Sequence, residues 1–290
     1  MDAKRHAKVA FMEANQPSRT AQGAALHRAA HQLVDTPPVF ADPLALRIVG
    51  AEAADELRNG RDHHAMAEIM PLRLFIATRS RFTEDTLAEA YAAGVRQYVI
   101  LGAGLDTFAY ERARPFAELS IFEIDHPATQ GWKRARLKEA SIAVPDSVTY
   151  APVDFERDTL ANGLSRAGFD STRPAFFAWL GVTPYLTHDA IMGTLSFIAS
   201  LKPGSGVVFD YAEKPSVESA GFRAMAARVA AIGEPFRSLL DPAELAKSLK
   251  DLGFTRIEDF GGERLNARYF SGRADGARLA GRGHLMRAFV

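Results

Sequence analysis

The chain has no cysteine among its 290 residues. Disulfides, thiolate nucleophiles and cysteine-ligated zinc or iron–sulfur centres are therefore excluded. It also has no excess charge of either sign, because Lys plus Arg and Asp plus Glu both number 35. A chain so balanced lacks the basic footprint of a nucleic-acid partner and the polybasic surface that anionic membranes attract. No apolar run approaches the roughly 18 residues that a membrane-crossing helix needs. The opening stretch, MDAKRHAKVAFMEANQPSRT, has neither an apolar core nor a small-residue cleavage site, so no secretory leader is expected. These absences leave the expectation of a cytoplasmic globular protein with no membrane and no nucleic acid as partner.

What is present falls into two textures. Residues 1–94 read as a helical extension: QGAALHRAAHQL, ADPLALRIVG, AEAADELRNG and FIATRSRFTEDTLAEAYAAG carry apolar residues at three- and four-residue spacing. DTPPVFADP between them is a turn cluster, and Gly94 sits where a helix C-cap is expected. From Val95 to the end, short apolar runs alternate with helical stretches. The runs are 97–104, 119–125, 148–155, 174–182 and 204–212, followed by FTRIEDFG and the terminal HLMRAFV. Thr187 and Asp241 stand as N-caps of two of the intervening helices, Asp241 with Pro242 at the first helical position. Near-continuous apolar strands alternating with helices predict an α/β fold. It is a doubly wound, mostly parallel seven-stranded sheet, with an N-terminal helical extension and a helical insertion at about 213–240.

The chemistry concentrates where strands end. VILGAGLDT (99–107) runs a buried strand into Gly102 and Gly104, which let backbone turn sharply and approach a ligand without a Cβ in the way. The dinucleotide fingerprint asks for a third glycine at position 107, where this chain has threonine. Alone, the loop is equally an ordinary strand–turn–helix connection. About 20 residues on, the second strand ends at Asp125, placed to accept both hydroxyls of a ribose or, alternatively, to cap the helix beginning near Pro127. Asp154, after the third strand, can accept from an adenine amino group or cap the next helix. These features fit a ribose-bearing cofactor. An NAD(P)-linked oxidoreductase, or a non-catalytic protein that kept the fold, are the alternatives.

The ordered set LGAGLDT, FEIDHP, VDFE, WLGVTPYL, LKPG and LGF, with SRTA and FADPLA upstream, resembles the leucine carboxyl methyltransferase family, particularly its bacterial members. The resemblance implies a Rossmann-like class I methyltransferase sheet and S-adenosyl-L-methionine (SAM) as cofactor. It implies that Arg79, with Arg81 as the neighbouring alternative, holds the cofactor carboxylate. Gly102, Asp125, Asp154 and Phe155 match the family's other cofactor contacts, with Gly104 in the same loop. One position departs: Leu180 stands where the family commonly carries a glutamate. The expected partner is a methyl acceptor, a carboxylate or hydroxyl on a small molecule or peptide.

A hydroxyl acceptor needs a base, and His126 and His188 follow strand ends near the expected cleft; His63 and His64 are further histidines. Tyr185, in GVTPY after the fourth strand, is placed to orient an acceptor or to pack as a structural aromatic. No His, Asp or Glu group shows metal-ligand spacing in the sequence, so no metal is expected.

Overall fold

In the computed structural model, which describes residues 18–154, 158–215, 227 and 236–290, every expected strand run contains a strand. These are β1 (Gln97–Leu101), β2 (Ser120–Asp125), β3 (Val148–Pro152), β4 (Phe176–Trp179), β5 (Gly206–Ala212), β6 (Arg256–Phe260) and β7 (Gly283–Phe289). The order across the sheet is β3-β2-β1-β4-β5-β7-β6. Pairings among β1 to β5 are parallel, whereas β7 runs antiparallel to both β5 and β6. A dinucleotide domain of two mononucleotide halves has the order 3-2-1-4-5-6. The reversed β7, inserted between β5 and β6, separates this sheet from that one.

Strand residues alternate between two apolar layers. Tyr98, Ile100, Phe176, Ala178 and Val208 face one core; Val99, Leu101, Phe177, Trp179, Val207 and Phe209 face the other. Both faces are covered, which is why the strands read as unbroken apolar runs. Each fully buried phenylalanine contributes about 1.5–3 kcal/mol of transfer free energy.

The first core is shared with the N-terminal region. There α1 (Arg19–Val34), α2 (Ala45–Ile48), α3 (Ala51–Arg58), two single 3-10 turns (His63–Ala65, Ala67–Ile69) and α4 (Met70–Ala92) follow in turn. Ala25, Phe40, Leu44 and Ile48 pack in the same cluster as Tyr98 and Ile100, so these helices close over the sheet. Helix α4 ends as expected, with Gly94 at φ +101° just beyond it. No helix among the described residues is long and apolar enough to cross a membrane.

The crossover helices are α5 (Pro127–Glu139), α6 (Leu160–Arg166), α7 (His188–Ala199), α8 (Pro242–Leu252) and α9 (Gly262–Tyr269). Thr187 caps α7 through Ala190 N–H, and Asp241 caps α8 through Ala243 and Glu244 N–H. The expected insertion at 213–240 lies for the most part outside the described residues. Its flanks are held down: Glu213 bridges to Leu240, and the Arg237 and Ser238 N–H groups donate to the Pro184 carbonyl at 2.7 and 3.2 Å.

Candidate active site

Ligands of open α/β sheets sit outside the carboxyl ends of the strands, where the strand order reverses. Here that point lies between β1 and β4. After β1 the chain bends back over β2: the N–H groups of Gly102 and Ala103 both donate to the Ile124 carbonyl, at 2.8 and 3.0 Å. Gly102 has φ +66°, and a Cβ there would lie 2.4 Å from Val182 Cγ2, so the β1 and β4 loops touch because this residue has no side chain. Gly104 has φ +44°, and a Cβ on it would lie 3.0 Å from the Ala21 Cβ of α1.

Gly104 also fixes the acid at the end of β2. Its N–H donates to Asp125 Oδ2 at 2.6 Å, while His126 N–H donates to Oδ1 at 2.7 Å. Each carboxylate oxygen thus has one backbone donor and keeps acceptor capacity for another. Burial pushes the Asp125 carboxyl up, against the opposing pull of those N–H groups and of Lys133. Asp125 does not cap α5. His126 does, its Nδ1 accepting from Ala128 N–H at 3.2 Å.

Across the switch point, α4 brings a cation to the ends of β4 and β5. Arg79 Nη1 donates to Asp210 Oδ2 at 2.8 Å, and Gly181 N–H donates to Asp210 Oδ1 at 2.5 Å. The guanidinium lies so close over Gly181, at φ +74°, that a Cβ there would meet Nη2 at 2.7 Å. Arg81, one helical step away, points elsewhere: it pairs with Asp85 on the helix surface, its side chain about half exposed. The two arginines that the sequence left as alternatives are separated by the helix face each occupies.

Thr107, the residue in place of the third glycine, is fully buried and belongs to a charged cluster rather than to a ligand surface. Its Oγ1 donates to Asp42 Oδ2 at 2.7 Å. Asp42, from the FADPLA segment, also pairs with Arg28 at 3.3 Å and Arg112 at 2.8 Å. Arg28 donates onward to the Leu105 carbonyl at 2.6 Å, inside the glycine loop itself. Burial works against the charge on Asp42, but Arg112 and Arg28 outweigh it and hold the carboxyl below its usual range.

The remaining expected residues are dispersed. His188 is exposed in the first turn of α7. Tyr185 lies in the 3-10 turn Thr183–Tyr185, its ring 5.7 Å from that of Phe236. Asp154 follows β3, and α6 is capped by Thr159 instead. Phe155 lies outside the described residues. Sequence spacing missed Asp210, which carries no motif, and a histidine group that folding assembles. His27 of α1 lies 4.5 Å from His64, ring to ring, and His64 lies 3.9 Å from His63. His27 is buried, and burial with the neighbouring His64 and Arg79 charges pushes it down to about 3.

The family model described as leucine carboxyl methyltransferase matches residues 21–199, from α1 through α7. The chain belongs to the leucine carboxyl methyltransferase family. A Bacillus subtilis protein provisionally named an S-adenosyl-L-methionine-dependent methyltransferase, YktD, is 32% identical over 91% of this chain and 95% of its own length. A Frankia alni protein with a similar provisional name is 34% identical over 57% of this chain and 58% of its own. Among solved structures, a Thermobifida fusca protein, titled provisionally as a methyltransferase, shares the fold at TM-score 0.59. It is 17% identical, with 96% of each chain covered.

Members of this family are SAM-dependent methyltransferases, and SAM is accordingly the cofactor here. The residues present fit it. Asp125 keeps acceptor capacity on both oxygens, as a pair of ribose hydroxyls would require, and Gly102 and Gly104 carry no side chain into the crevice. In place of the commonly found family glutamate, Leu180 is an apolar side chain packed against the first core. The neighbouring Gly181 N–H donates to Asp210 on β5.

Proposed function

We propose that this chain transfers the methyl group of SAM to an oxygen of a small-molecule or peptide acceptor, with a carboxylate favoured over a hydroxyl. The carrying observation is the pair of charged groups flanking the β1/β4 crevice: the Asp125 carboxylate on the β2 side and the Arg79–Asp210 pair on the β5 side. On this reading Asp125 accepts from the ribose, Asp154 accepts from the adenine amino group, and Arg79 binds the cofactor carboxylate with donors not given to Asp210. SAM, when bound, supplies an electrophilic methyl on a sulfonium. An O–CH3 bond forms as the S–CH3 bond breaks, leaving S-adenosylhomocysteine and a methyl ester or ether.

For an in-line displacement the protein's tasks are alignment and exclusion of water. A carboxylate is already anionic and needs no base. The two histidines nearest the strand ends support that preference, because His126 Nδ1 is committed to capping α5 and His188 is exposed. Tyr185, beside the β4 loop, is the side chain we assign to orienting the acceptor.

The test is a screen of carboxylic acids, alcohols and peptides with SAM labelled in the methyl group, followed by alkali treatment of the product. Label released as methanol supports ester formation, and alkali-stable label identifies a hydroxyl or amine acceptor. In parallel, titration should show SAM and S-adenosylhomocysteine binding and none of NAD(H). Asp125→Ala and Arg79→Ala should each weaken SAM by about 1–3 kcal/mol through loss of charged hydrogen bonds. Wild-type affinity in both variants would overturn the site assignment.

A further inference from the structure

We propose that Asp62, His63 and His64, in the turn preceding α4, form a site for a divalent ion of the zinc class, with the buried His27 ring of α1 packed against it. The ligand atoms of Asp62, His63 and His64 all lie within 4.8 Å of one another. Asp62 Oδ1 is 2.6 Å from His64 Nδ1 and 3.7 Å from His63 Nδ1. Two nitrogen or oxygen ligands on one zinc ion, each at about 2.0–2.2 Å, stand roughly 3–3.6 Å apart. The His63 separation is already close to that range, and the His64 pair has to open by less than about 1 Å. At present a hydrogen bond joins His64 Nδ1 and Asp62 Oδ1. An ion entering between them displaces the proton of that bond to solvent, as metal binding to imidazole requires.

The independent observation is His27. It is 94% buried from its 6% exposure, its Nδ1 has no hydrogen-bond partner, and its ring stands 4.5 Å from that of His64. A buried imidazole nitrogen left unpaired is costly and calls for an explanation. A water held on the ion supplies one: His27 lies outside the set of ligand atoms that come within 4.8 Å of one another, and two imidazoles with one carboxylate leave zinc a fourth position for water.

The surroundings hold this turn in place. Arg73 donates to the His64 and Met66 carbonyls at 2.8 and 3.1 Å. Its charge is balanced by a two-point pair with Asp35, at 2.7 and 2.8 Å, and that of Arg79 by Asp210. His63 is exposed, which gives the ion a route from solvent.

The experiment uses the full chain, freed of metal by chelator. Zinc is titrated against a chromophoric competitor, and cobalt is followed through its visible d–d absorption; neither readout depends on methyl transfer. One ion per chain is expected, with the intense cobalt band of a four-coordinate site and a proton released on binding. His63→Ala, at an exposed position where the fold is not at risk, should weaken binding at least tenfold. His64→Ala should abolish it, and His27→Gln should shift the cobalt band. Binding that is unchanged in His63→Ala, or less than half an ion per chain in the wild type, would overturn the proposal.

Discussion

Thr107 donates its hydroxyl to Asp42 at 2.7 Å, and through this bond the cofactor loop is tied to the N-terminal helical region. Both residues are almost wholly buried, and the Asp42 carboxylate is shared with Arg28 and Arg112. Thr107→Val keeps the shape and removes one donor, so a loss of about 1–2 kcal/mol is expected. Thr107→Ser should recover most of it. Asp42→Ala leaves two guanidinium groups buried with less compensation and should cost about 3–5 kcal/mol. Chemical denaturation measures both. Calorimetric titration of Thr107→Val with SAM should show weaker binding than in Thr107→Ser, since the loop holding Asp125 is then less constrained.

The two arginines of α4 should respond differently. Arg79→Ala removes the cation over Gly181 and should weaken SAM roughly tenfold to a hundredfold. Arg81→Ala disturbs one exposed pair with Asp85, and both stability and SAM affinity should stay within about 0.5 kcal/mol of wild type. Equal losses in the two variants would contradict the helix-face argument.

Gly102→Ala places a methyl group 2.4 Å from Val182 Cγ2 and an L side chain at φ +66°. The backbone conformation alone costs about 1–2 kcal/mol, and the contact adds to it. The double variant Gly102→Ala with Val182→Ala should regain the contact cost but keep the conformational one. Thermal denaturation of Gly102→Ala, Val182→Ala and the double variant separates these contributions.

Two carboxylates give opposite pH dependence. Burial opposes charge on Asp35, but its hydrogen bonds to Arg73 and His31 outweigh that and bring it from 3.8 to about 2. Its contribution is fully present above pH 3.8 and is lost as pH falls through 2. Glu84 goes the other way: burial, with the nearby Asp106 and Asp42 charges, raises it from 4.5 to about 7 against the pull of Arg112 at 2.7 Å. The folded chain then retains a proton that the unfolded chain releases, so stability falls as pH rises from 4.5 to 7. Melting temperatures of Glu84→Gln should lose that slope, and those of Asp35→Asn should be less sensitive to acid below pH 4.

Much of the fold was legible because strands buried on both faces leave near-continuous apolar runs, and caps such as Thr187 and Asp241 leave local signals. The glycines at 102 and 104 and the acid at 125 were legible for the same reason, since a turn and the strand ending beside it are set by nearby residues. Sequence order did not carry the partners of these groups. Asp210 is 131 residues from Arg79, and Asp42 is 65 residues from Thr107. Thr107 reads in sequence only as the residue standing in place of a third loop glycine, yet the packing of α1 and the FADPLA segment turns it inward onto Asp42. Likewise, Asp62, His63 and His64 are adjacent and lack familiar ligand spacing, and His27 joins them only where α1 crosses the turn before α4. Local periodicity and capping determine elements, so the sequence determined those; which charges meet depends on how the elements pack, so the tertiary structure decided that.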